Sequence, residues 1–286
     1  MPYEPPVESP TSLTDAYRLL TDGGAAWRPV AGGTDLLVQI TGELGPPPDR
    51  VLNIWGLEEL RGINLEGDEL VIGALTTYTD LRTSALAGEL LPALAAASAT
   101  IGAAQIQNRG TVGGNLANAS PAGDTLPIWL ATDSQIVLGS AAGERSVPAT
   151  EFFTAYRETA RRDDELVLRV RVPLLPRRHV RFRKVGTRRA QAISKVVMAL
   201  SWLTGEDGAW QDTRLALGSV AATPVRARAT EGALNGRHPV AARADRAVVA
   251  LEGEISPIDD VRSTAEYRKM VAGRVLRRLI REEGGW

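Results

Sequence analysis

Cysteine is absent from this chain of 286 residues, and histidine occurs only twice. Disulfides, thiolate nucleophiles, iron–sulfur clusters and cysteine-ligated zinc all need thiols, so the chain itself supports none of them. His179 and His238 have no second ligand beside them at a metal-binding spacing. We therefore expect solvated surface histidines and no metal site, and a Ser-His-Asp triad has little support.

The sequence also lacks an excess of charge of either sign. Lysine and arginine total 33 against 34 aspartate and glutamate residues, which gives a formal net charge of -1. Nucleic acid or an anionic membrane would require a basic surface, and this composition does not supply one. The length of 286 residues fits two domains or one large domain with a sizeable core.

Long apolar runs and a secretory leader are missing as well. The stretch 90–123 carries one charge, Arg109, but Pro92, Gln105 and several asparagines interrupt every possible membrane-spanning segment. The N-terminus has neither the basic region nor the apolar region of a signal peptide, so we expect a cytoplasmic protein.

Common catalytic and nucleotide-binding motifs do not occur. The chain contains no G-x-G-x-x-G, no G-x-x-x-x-G-K-[ST] and no G-x-S-x-G. The sequence therefore predicts neither a Rossmann fold nor a P-loop nor an α/β-hydrolase.

Apolar periodicity and turn residues predict an α+β chain. Before Pro173, the predicted helices lie at 14–20 (ended by a turn at 22–24), 34–40, 76–83 and 86–100, and the strands at 27–31, 51–54, 63–65, 70–74, 135–138 and 166–172. A stiff connector at 45–48 and an exposed charge run at 157–165 are also predicted. Beyond Pro176, the sequence predicts strands at 196–203 and 213–220, a helix at 225–234 and a final helix opened by Ser263 and Glu266. These elements indicate an antiparallel sheet with helices. That final helix is predicted to bury the side chains of one face, which are Tyr267, Met270, Val271, Val275, Leu279 and Ile280.

Two glycine-rich segments are candidates for ligand binding. In the first, at 31–35, glycine amides ahead of a helix can converge on an anion, although a plain strand-to-helix turn is the other interpretation. The second, at 109–124, combines four glycines with small polar residues and suits a pyrophosphate. Asp124 could accept a hydrogen bond from a ribityl or ribose hydroxyl, but Asp35 and Asp124 also fit helix caps.

These segments, together with the runs at 72–81, 222–226 and 267–270, resemble the FAD-binding subunit of the molybdenum hydroxylases. That family includes xanthine dehydrogenase and aerobic carbon monoxide dehydrogenase, and the resemblance covers nearly the whole chain. It implies an FAD-binding domain of the vanillyl-alcohol-oxidase (PCMH) type at 1–174, built from two α/β subdomains. It further implies a small C-terminal domain of the carbon monoxide dehydrogenase flavoprotein type at 175–286.

The function implied by this resemblance is electron transfer through FAD. The oxidoreductase subunit would take electrons from iron–sulfur clusters on a partner and pass them to NAD or another acceptor. The implied partners are a 2Fe–2S subunit and a large molybdopterin-binding subunit, in a heterotrimer that dimerises. The absence of cysteine agrees, because this subunit would hold only the flavin. Thr34-Asp35 stands where carbon monoxide dehydrogenases show His-Ser, which favours a xanthine dehydrogenase-like member over a carbon monoxide dehydrogenase-like one.

The resemblance also implies the individual cofactor-binding residues, and no catalytic or metal-binding residue. The first pyrophosphate loop and its flanks are Pro29, Val30, Ala31, Gly32, Gly33, Thr34, Asp35 and Leu36. The second loop is Gly110, Thr111, Gly113, Gly114 and Asn115, extended toward the ribityl chain by Ala119 and Asp124. Ile101 falls beside the flavin ring, where stacking would be aliphatic. Leu166 and Val167 match apolar contacts of the flavin, and Lys184 matches a lysine near the isoalloxazine.

From this assignment, we expect Gly33→Val or Gly113→Val to strip the flavin from a folded protein. Asp124→Ala is expected to weaken FAD affinity without changing the melting temperature of the apoprotein.

Two other functions remain open at the level of sequence. A stand-alone flavin oxidoreductase would need proton-handling residues beside the ring, and the sequence shows no obvious candidate. A non-catalytic assembly subunit could keep the fold without the cofactor, but the intact glycine loops argue against it.

Overall fold

The computed structural model describes residues 4–22, 26–42, 46–188 and 191–286, which build three main β-sheets and their helices. The first sheet is parallel, with strand order β1-β3-β2. Its strands and helices are β1 (Val7–Glu8), α1 (Leu13–Thr21), β2 (Trp27–Val30), α2 (Leu36–Thr41) and β3 (Arg50–Asn53). The predicted order of strand, glycine turn and helix is therefore present between 27 and 41. The turn predicted at Gly23 and Gly24, and Gly45 of the predicted connector, lie outside the described residues.

The second sheet has five antiparallel strands in the order β4-β5-β10-β6-β7. These strands are β4 (Ile63–Glu66), β5 (Glu69–Gly73), β6 (Gln135–Ser140), β7 (Gly143–Pro148) and β10 (Leu166–Pro173), and a separate hairpin contains β8 (Phe153–Ala155) and β9 (Glu158–Thr159). The helices that accompany this sheet are α3 (Tyr78–Thr83), α4 (Ala85–Leu90), α5 (Pro92–Ser98), α6 (Ala104–Gln107), α7 (Val112–Asn118), α8 (Leu126–Ala131) and α9 (Ala149–Phe152). Their apolar faces and the sheet form a core that includes the fully buried Trp129.

Proline interrupts the helix that was predicted over 86–100. The chain forms two helices instead, because Leu91 leaves the helical region and Pro92 occupies the first turn of α5. Proline has no N–H group, and its ring disfavours a helical conformation at the preceding residue.

The second glycine segment contains a helix that the sequence interpretation did not anticipate. Thr111 caps the N-terminus of helix α7, and its Oγ1 accepts a hydrogen bond from the Gly114 N–H at 3.0 Å. Small residues let this helix approach β5 closely, and the Gly113 N–H donates to the Ala74 carbonyl at 2.7 Å. Gly113 therefore has a role in helix packing, in addition to any role in ligand binding.

The third sheet is antiparallel, in the order β11-β12-β13-β14, and confirms the predicted C-terminal sheet with helices. Its elements are β11 (Arg178–Val185), β12 (Val196–Thr204), β13 (Trp210–Gly218), β14 (Val225–Arg226), α10 (Arg228–Leu234), α11 (Ala241–Glu254) and α12 (Ala265–Gly284). Val196 and Met198 pack with the C-terminal helices, whereas Val197 and Ala199 join the core of the second sheet. The first five residues of β12, 196–200, are apolar, as expected for a strand that is buried on both faces. The domain limits 1–174 and 175–286 stay a prediction.

Some C-terminal details differ from the predictions. The helix expected from Val225 begins at Arg228, because the residues before it pair with β13 as β14. Thr264, and not Ser263, caps α12, since its hydroxyl accepts from the Tyr267 N–H at 3.2 Å. Tyr267 and Met270 are 37% and 39% exposed, so the buried face of α12 is narrower than predicted.

The two histidines lie in different environments. His238 is exposed, but His179 is half-buried and stacks on Trp202 with ring centroids 5.1 Å apart.

The predicted exposed loop at 157–165 ends in a buried carboxylate, because Glu165 leads directly into β10.

Within the described ranges, no helix is both long and apolar enough to cross a bilayer.

Candidate cofactor-binding site

A cleft of about 290 Å³ is lined by the loops of the first and second sheets. All of the predicted site residues line it except Ala119, Asp124 and Lys184. The lining residues are Arg28, Pro29, Val30, Ala31, Gly32, Gly33, Thr34, Asp35, Leu36, Ile54, Ala74, Leu75, Tyr78, Ile101, Ile106, Gly110, Thr111, Gly113, Gly114, Asn115, Ala117, Asn118, Arg161, Glu165, Leu166 and Val167. The structure thus brings two glycine loops, 77 residues apart at Gly32 and Arg109, to one site.

Glycine at position 32 permits the direct contact between the two loops. A Cβ atom on Gly32 would lie 1.6 Å from the carbonyl oxygen of Arg109, a distance that no side chain can tolerate. The Arg109 Nε donates to the Gly32 carbonyl at 3.4 Å across the same contact. Gly33 follows with φ of +76°, a left-handed conformation that favours glycine and turns the loop toward α2.

Unsatisfied backbone donors concentrate in the first loop. In the part of the chain that the structure describes, the N–H groups of Gly32, Gly33 and Thr34 have no hydrogen-bond acceptor. The corresponding groups of Gly113 and Gly114 are already engaged with Ala74 and Thr111. Each hydrogen bond from an amide to a charged phosphate contributes roughly 1.5 to 3 kcal/mol, so the first loop is suited to hold a pyrophosphate.

Apolar side chains line the same cleft as these donors. Ile54, Leu75 and Leu166 belong to the core of the first sheet, whereas Ile101 packs against the core of the second. An amphipathic ligand with a charged middle and flat rings at its ends fits such a cleft. FAD has this shape, and the cleft residues therefore fit the cofactor that the resemblance implies.

Two ionisable lining groups are unavailable as proton acceptors. Burial strongly raises the pKa of the Tyr78 phenol, which keeps it neutral. Glu165 binds Arg145 through both oxygens, Oε1 at 2.6 Å from Nε and Oε2 at 2.8 Å from Nη2. This pairing lowers the pKa of Glu165, so the carboxylate stays ionised and occupied.

Asp35 does not hold the amides of its own loop. Its Oδ2 accepts from the Gln39 Nε2 at 2.5 Å and lies 3.9 Å from a guanidinium nitrogen of Arg157. No side-chain cap joins Asp35 to the first turn of α2. Asp35 therefore lines the cleft while its charge is directed toward groups other than the loop amides.

Asp124 and Lys184 lie behind the cleft and bind each other. Lys184 Nζ is 2.6 Å from Asp124 Oδ2, both side chains are 9% exposed, and Ser194 donates to the other carboxylate oxygen. Burial raises the pKa of Asp124, and the charge of Lys184 opposes that rise. Ala119, with φ of +47°, is buried at the end of α7. Direct contacts of these three residues with FAD stay a prediction.

Sequence interpretation missed three charged residues of the lining, Arg28, Arg161 and Glu165. The last two belong to the run predicted to be an exposed loop. Their inward position follows from the apolar strand β10, which starts at Leu166 and draws the preceding residues toward the core. A charge run that directly precedes a buried strand was the available signal.

Comparisons with known proteins match the whole described architecture. Residues 3–175 match the FAD binding domain in molybdopterin dehydrogenase, and residues 181–283 match the CO dehydrogenase flavoprotein C-terminal domain. The chain is 32% identical to the carbon monoxide dehydrogenase medium chain of Hydrogenophaga pseudoflava, covering 95% of this chain and 94% of that one. It is 31% identical to the xanthine dehydrogenase FAD-binding subunit of Escherichia coli O157:H7, covering 95% and 93%.

A solved structure shows the same fold. Carbon monoxide dehydrogenase from Hydrogenophaga pseudoflava, in a form that lacks the Mo-pyranopterin moiety of its cofactor, superposes with a TM-score of 0.92 at 31% identity. The superposition covers 97% of this chain and 96% of that chain.

Proposed function

Because this chain belongs to the flavoprotein subunits of the molybdenum hydroxylase family and uses FAD, we propose that it transfers electrons between two partners. It would take electrons from iron–sulfur clusters on a partner subunit and pass them to NAD or another acceptor. The family, the cofactor and the oxidoreductase class expected from the sequence are confirmed.

The cleft between the two glycine loops carries this proposal. The free N–H groups of Gly32, Gly33 and Thr34 would hold the pyrophosphate of FAD, and the apolar residues on either side would enclose its rings. FAD supplies reversible redox chemistry when bound, so the task of this chain is to bind, orient and shield it.

The lining residues that the structure describes offer no free acid or base for chemistry on a substrate. Among the described lining residues, the groups that could exchange a proton are Asp35, Tyr78 and Glu165. The Tyr78 phenol is held neutral, and Glu165 is held ionised by Arg145. Asp35 is engaged with Gln39. This arrangement supports electron transfer over a stand-alone oxidoreductase that binds its own substrate.

The substrate of the complex is not chosen by this chain. Similarity to the carbon monoxide dehydrogenase and xanthine dehydrogenase relatives is equal in extent, so Thr34-Asp35 gives no preference for the xanthine side. The carboxylate of Asp35 also interacts with Gln39 and Arg157 and makes no hydrogen bond to the amides of its own loop, which would hold the cofactor. We propose that the hydroxylated substrate is determined by the molybdenum subunit.

The proposed partners are a 2Fe–2S subunit and a large molybdopterin-binding subunit, in a cytoplasmic heterotrimer that dimerises. Since the chain has no cysteine, iron–sulfur clusters that co-purify with it must be held by another subunit.

The test is purification of the tagged full chain from its native host, followed by iron, molybdenum and FAD analysis across the size-exclusion profile. Iron, molybdenum and FAD are expected in one peak larger than the chain. Elution of an FAD-loaded chain alone, with turnover of its own, would contradict the proposal and favour the stand-alone oxidoreductase.

A further inference from the structure

A second cavity, of about 380 Å³, shares no lining residue with the cofactor cleft. Its walls come from β13, β14, α10 and the turn that follows α8. The charged residues of this lining are Asp133, Asp212, Arg214, Arg226, Arg228 and Glu231. We propose that this cavity binds a phosphate group, either as the free ion or as part of a phosphate monoester.

The carboxylate of Glu231 is already saturated with donors. It accepts from Nε and Nη2 of Arg226, the latter at 2.9 Å, and from the Leu215 N–H at 2.8 Å. Arg226 also donates to the Leu130 carbonyl of α8 at 3.1 Å, so the pair is fixed between the third sheet and that helix. Glu231 therefore offers little to a cation in the cavity.

Asp212 is occupied in the same way. Its Oδ1 accepts from Arg214 Nε at 3.1 Å, and its Oδ2 accepts from Arg214 Nη2 at 2.9 Å and from the buried Arg178. Burial acts to raise the pKa of Asp212, but the hydrogen bonds from Arg178 and Arg214 lower it below its usual value. The carboxylate therefore stays ionised and paired.

The third carboxylate, that of Asp133, is held only loosely. It is half exposed and lies 3.5 Å from Arg214 and 3.9 Å from Arg226, beyond the usual length of a hydrogen bond. With Arg178, four guanidinium groups face three carboxylates around the cavity. An oxyanion can therefore take the place of Asp133 beside the guanidinium groups and be attracted by the remaining positive charge.

The lining also offers hydrogen-bond donors that have no acceptor. The Thr213 side chain is 5% exposed, and its hydroxyl has no partner in the described part of the chain. Arg228 is exposed, and its guanidinium lies 3.6 Å from Glu231 without a hydrogen bond to it. A buried hydroxyl that is unpaired costs stability, and a ligand oxygen that accepts from it recovers this loss.

These features together favour a phosphate group over other ligands. A phosphate has several oxygens that accept from different directions, and guanidinium groups bind it with two parallel hydrogen bonds. The occupied carboxylates leave mainly donors for a ligand, which disfavours a metal ion.

The experiment titrates the FAD-loaded full chain with inorganic phosphate and, separately, with glycerol 3-phosphate. Binding is followed by isothermal titration calorimetry at an ionic strength held constant with sodium chloride. The variants are Arg228→Gln, Thr213→Val and Asp133→Asn. Arg246→Gln is the matched control, because Arg246 is also an exposed arginine on a helix but lines neither cavity.

We expect saturable binding to the wild type and a Kd that rises about tenfold in Arg228→Gln and Thr213→Val. Asp133→Asn should lower the Kd, because it removes a competing negative charge. The Kd of Arg246→Gln should stay within about twofold of the wild-type value. Thr213→Val should not lower the melting temperature of the ligand-free protein, since the hydroxyl has no partner to lose, and this separates a role in binding from a role in folding.

A wild type without saturable binding of either phosphate would overturn the inference. An unchanged Kd in both Arg228→Gln and Thr213→Val, an equal loss in Arg246→Gln, or weaker binding in Asp133→Asn would also overturn it. The ligand that binds more tightly identifies the source of the phosphate, and either order supports the site. No readout requires electron transfer, so failure here leaves the proposed function intact.

Discussion

Replacement of Lys184 by methionine tests whether the buried ion pair behind the cleft is a structural link or a part of the cofactor site. Lys184 belongs to β11 and Asp124 to the loop before α8, and their charged atoms are 2.6 Å apart. Lys184 also donates to the Thr100 carbonyl at 3.0 Å. Lys184→Met therefore leaves a buried carboxylate whose remaining side-chain partner is Ser194.

Removal of one partner of a buried ion pair destabilises a protein by roughly 3 to 5 kcal/mol. At the lower figure, the melting temperature of the apoprotein should fall by roughly 6 to 12 °C. The double variant Asp124→Asn/Lys184→Met should lose less stability, because it leaves no uncompensated charge.

The loss in Lys184→Met should also depend on pH. Burial raises the pKa of Asp124, and without Lys184 the folded-state pKa rises further. The folded variant then keeps a proton that the unfolded chain releases, so its stability falls as pH rises from the ordinary aspartate pKa to the raised one. The difference from wild type is therefore smaller in acid than at neutral pH.

The assay combines thermal melts of apoprotein, followed by circular dichroism at several pH values, with FAD titration of the same samples. A melting temperature within about 1 °C of wild type, combined with weakened FAD binding, would refute the structural role and favour a contact between Lys184 and the cofactor. By the same reasoning, Asp124→Ala should lower the melting temperature of the apoprotein, whereas the sequence alone predicted no change.

Three further predictions concern the glycine loops, Glu165 and the final helix. Gly33→Val puts a β-branched residue at φ of +76°, with strain of about 1 to 3 kcal/mol in the loop that carries the free amides, so FAD content should fall at least about tenfold while the chain still folds. Gly113→Val should lower both FAD content and the apoprotein melting temperature, because its Cβ would lie 2.7 Å from that of Ala74. Gly56→Ala should change neither, because a Cβ on Gly56 would meet no atom within 4 Å. Arg145→Gln removes the partner that lowers the pKa of Glu165. That ion pair stabilises the fold above the ordinary glutamate pKa, and its contribution is lost in acid. Urea denaturation should therefore show a destabilisation of the variant that is largest at neutral pH and shrinks as pH falls, and an equal destabilisation at all pH values would contradict this. Thr264→Ala should lower the melting temperature by roughly 2 to 4 °C through loss of about 1 kcal/mol of capping, whereas Ser263→Ala should not, and the reverse order would restore Ser263 as the cap.

Local signals in the sequence were sufficient for much of the fold. The hairpin of β4 and β5 was predictable from a turn between apolar runs, and β12 from a continuous apolar stretch. The strand, glycine turn and helix of the first loop were also predictable, because each step has its own residue type. The break in the helix at Leu91 was missed because two rules compete there. The alanine-rich sequence favours a continuous helix, whereas Pro92 disfavours a helical conformation at the residue before it.

Long-range contacts in the site could not be predicted in this way. Asp124 and Lys184 are 60 residues apart, and nothing in either segment shows that a carboxylate and an ammonium will neutralise each other. The second loop posed a related problem, because glycine for helix packing and glycine for ligand approach look alike in a sequence. In the structure, the hydrogen bond from the Gly113 N–H to the Ala74 carbonyl shows the packing role.

The visible absorption spectrum of the purified full chain, with the released cofactor identified by mass, tests the central claim most directly. The account predicts flavin bands at about one FAD per chain in the wild type and their loss in Gly33→Val. A colourless wild-type protein that also fails to take up added FAD, or a Gly33→Val variant that retains full FAD, would contradict it.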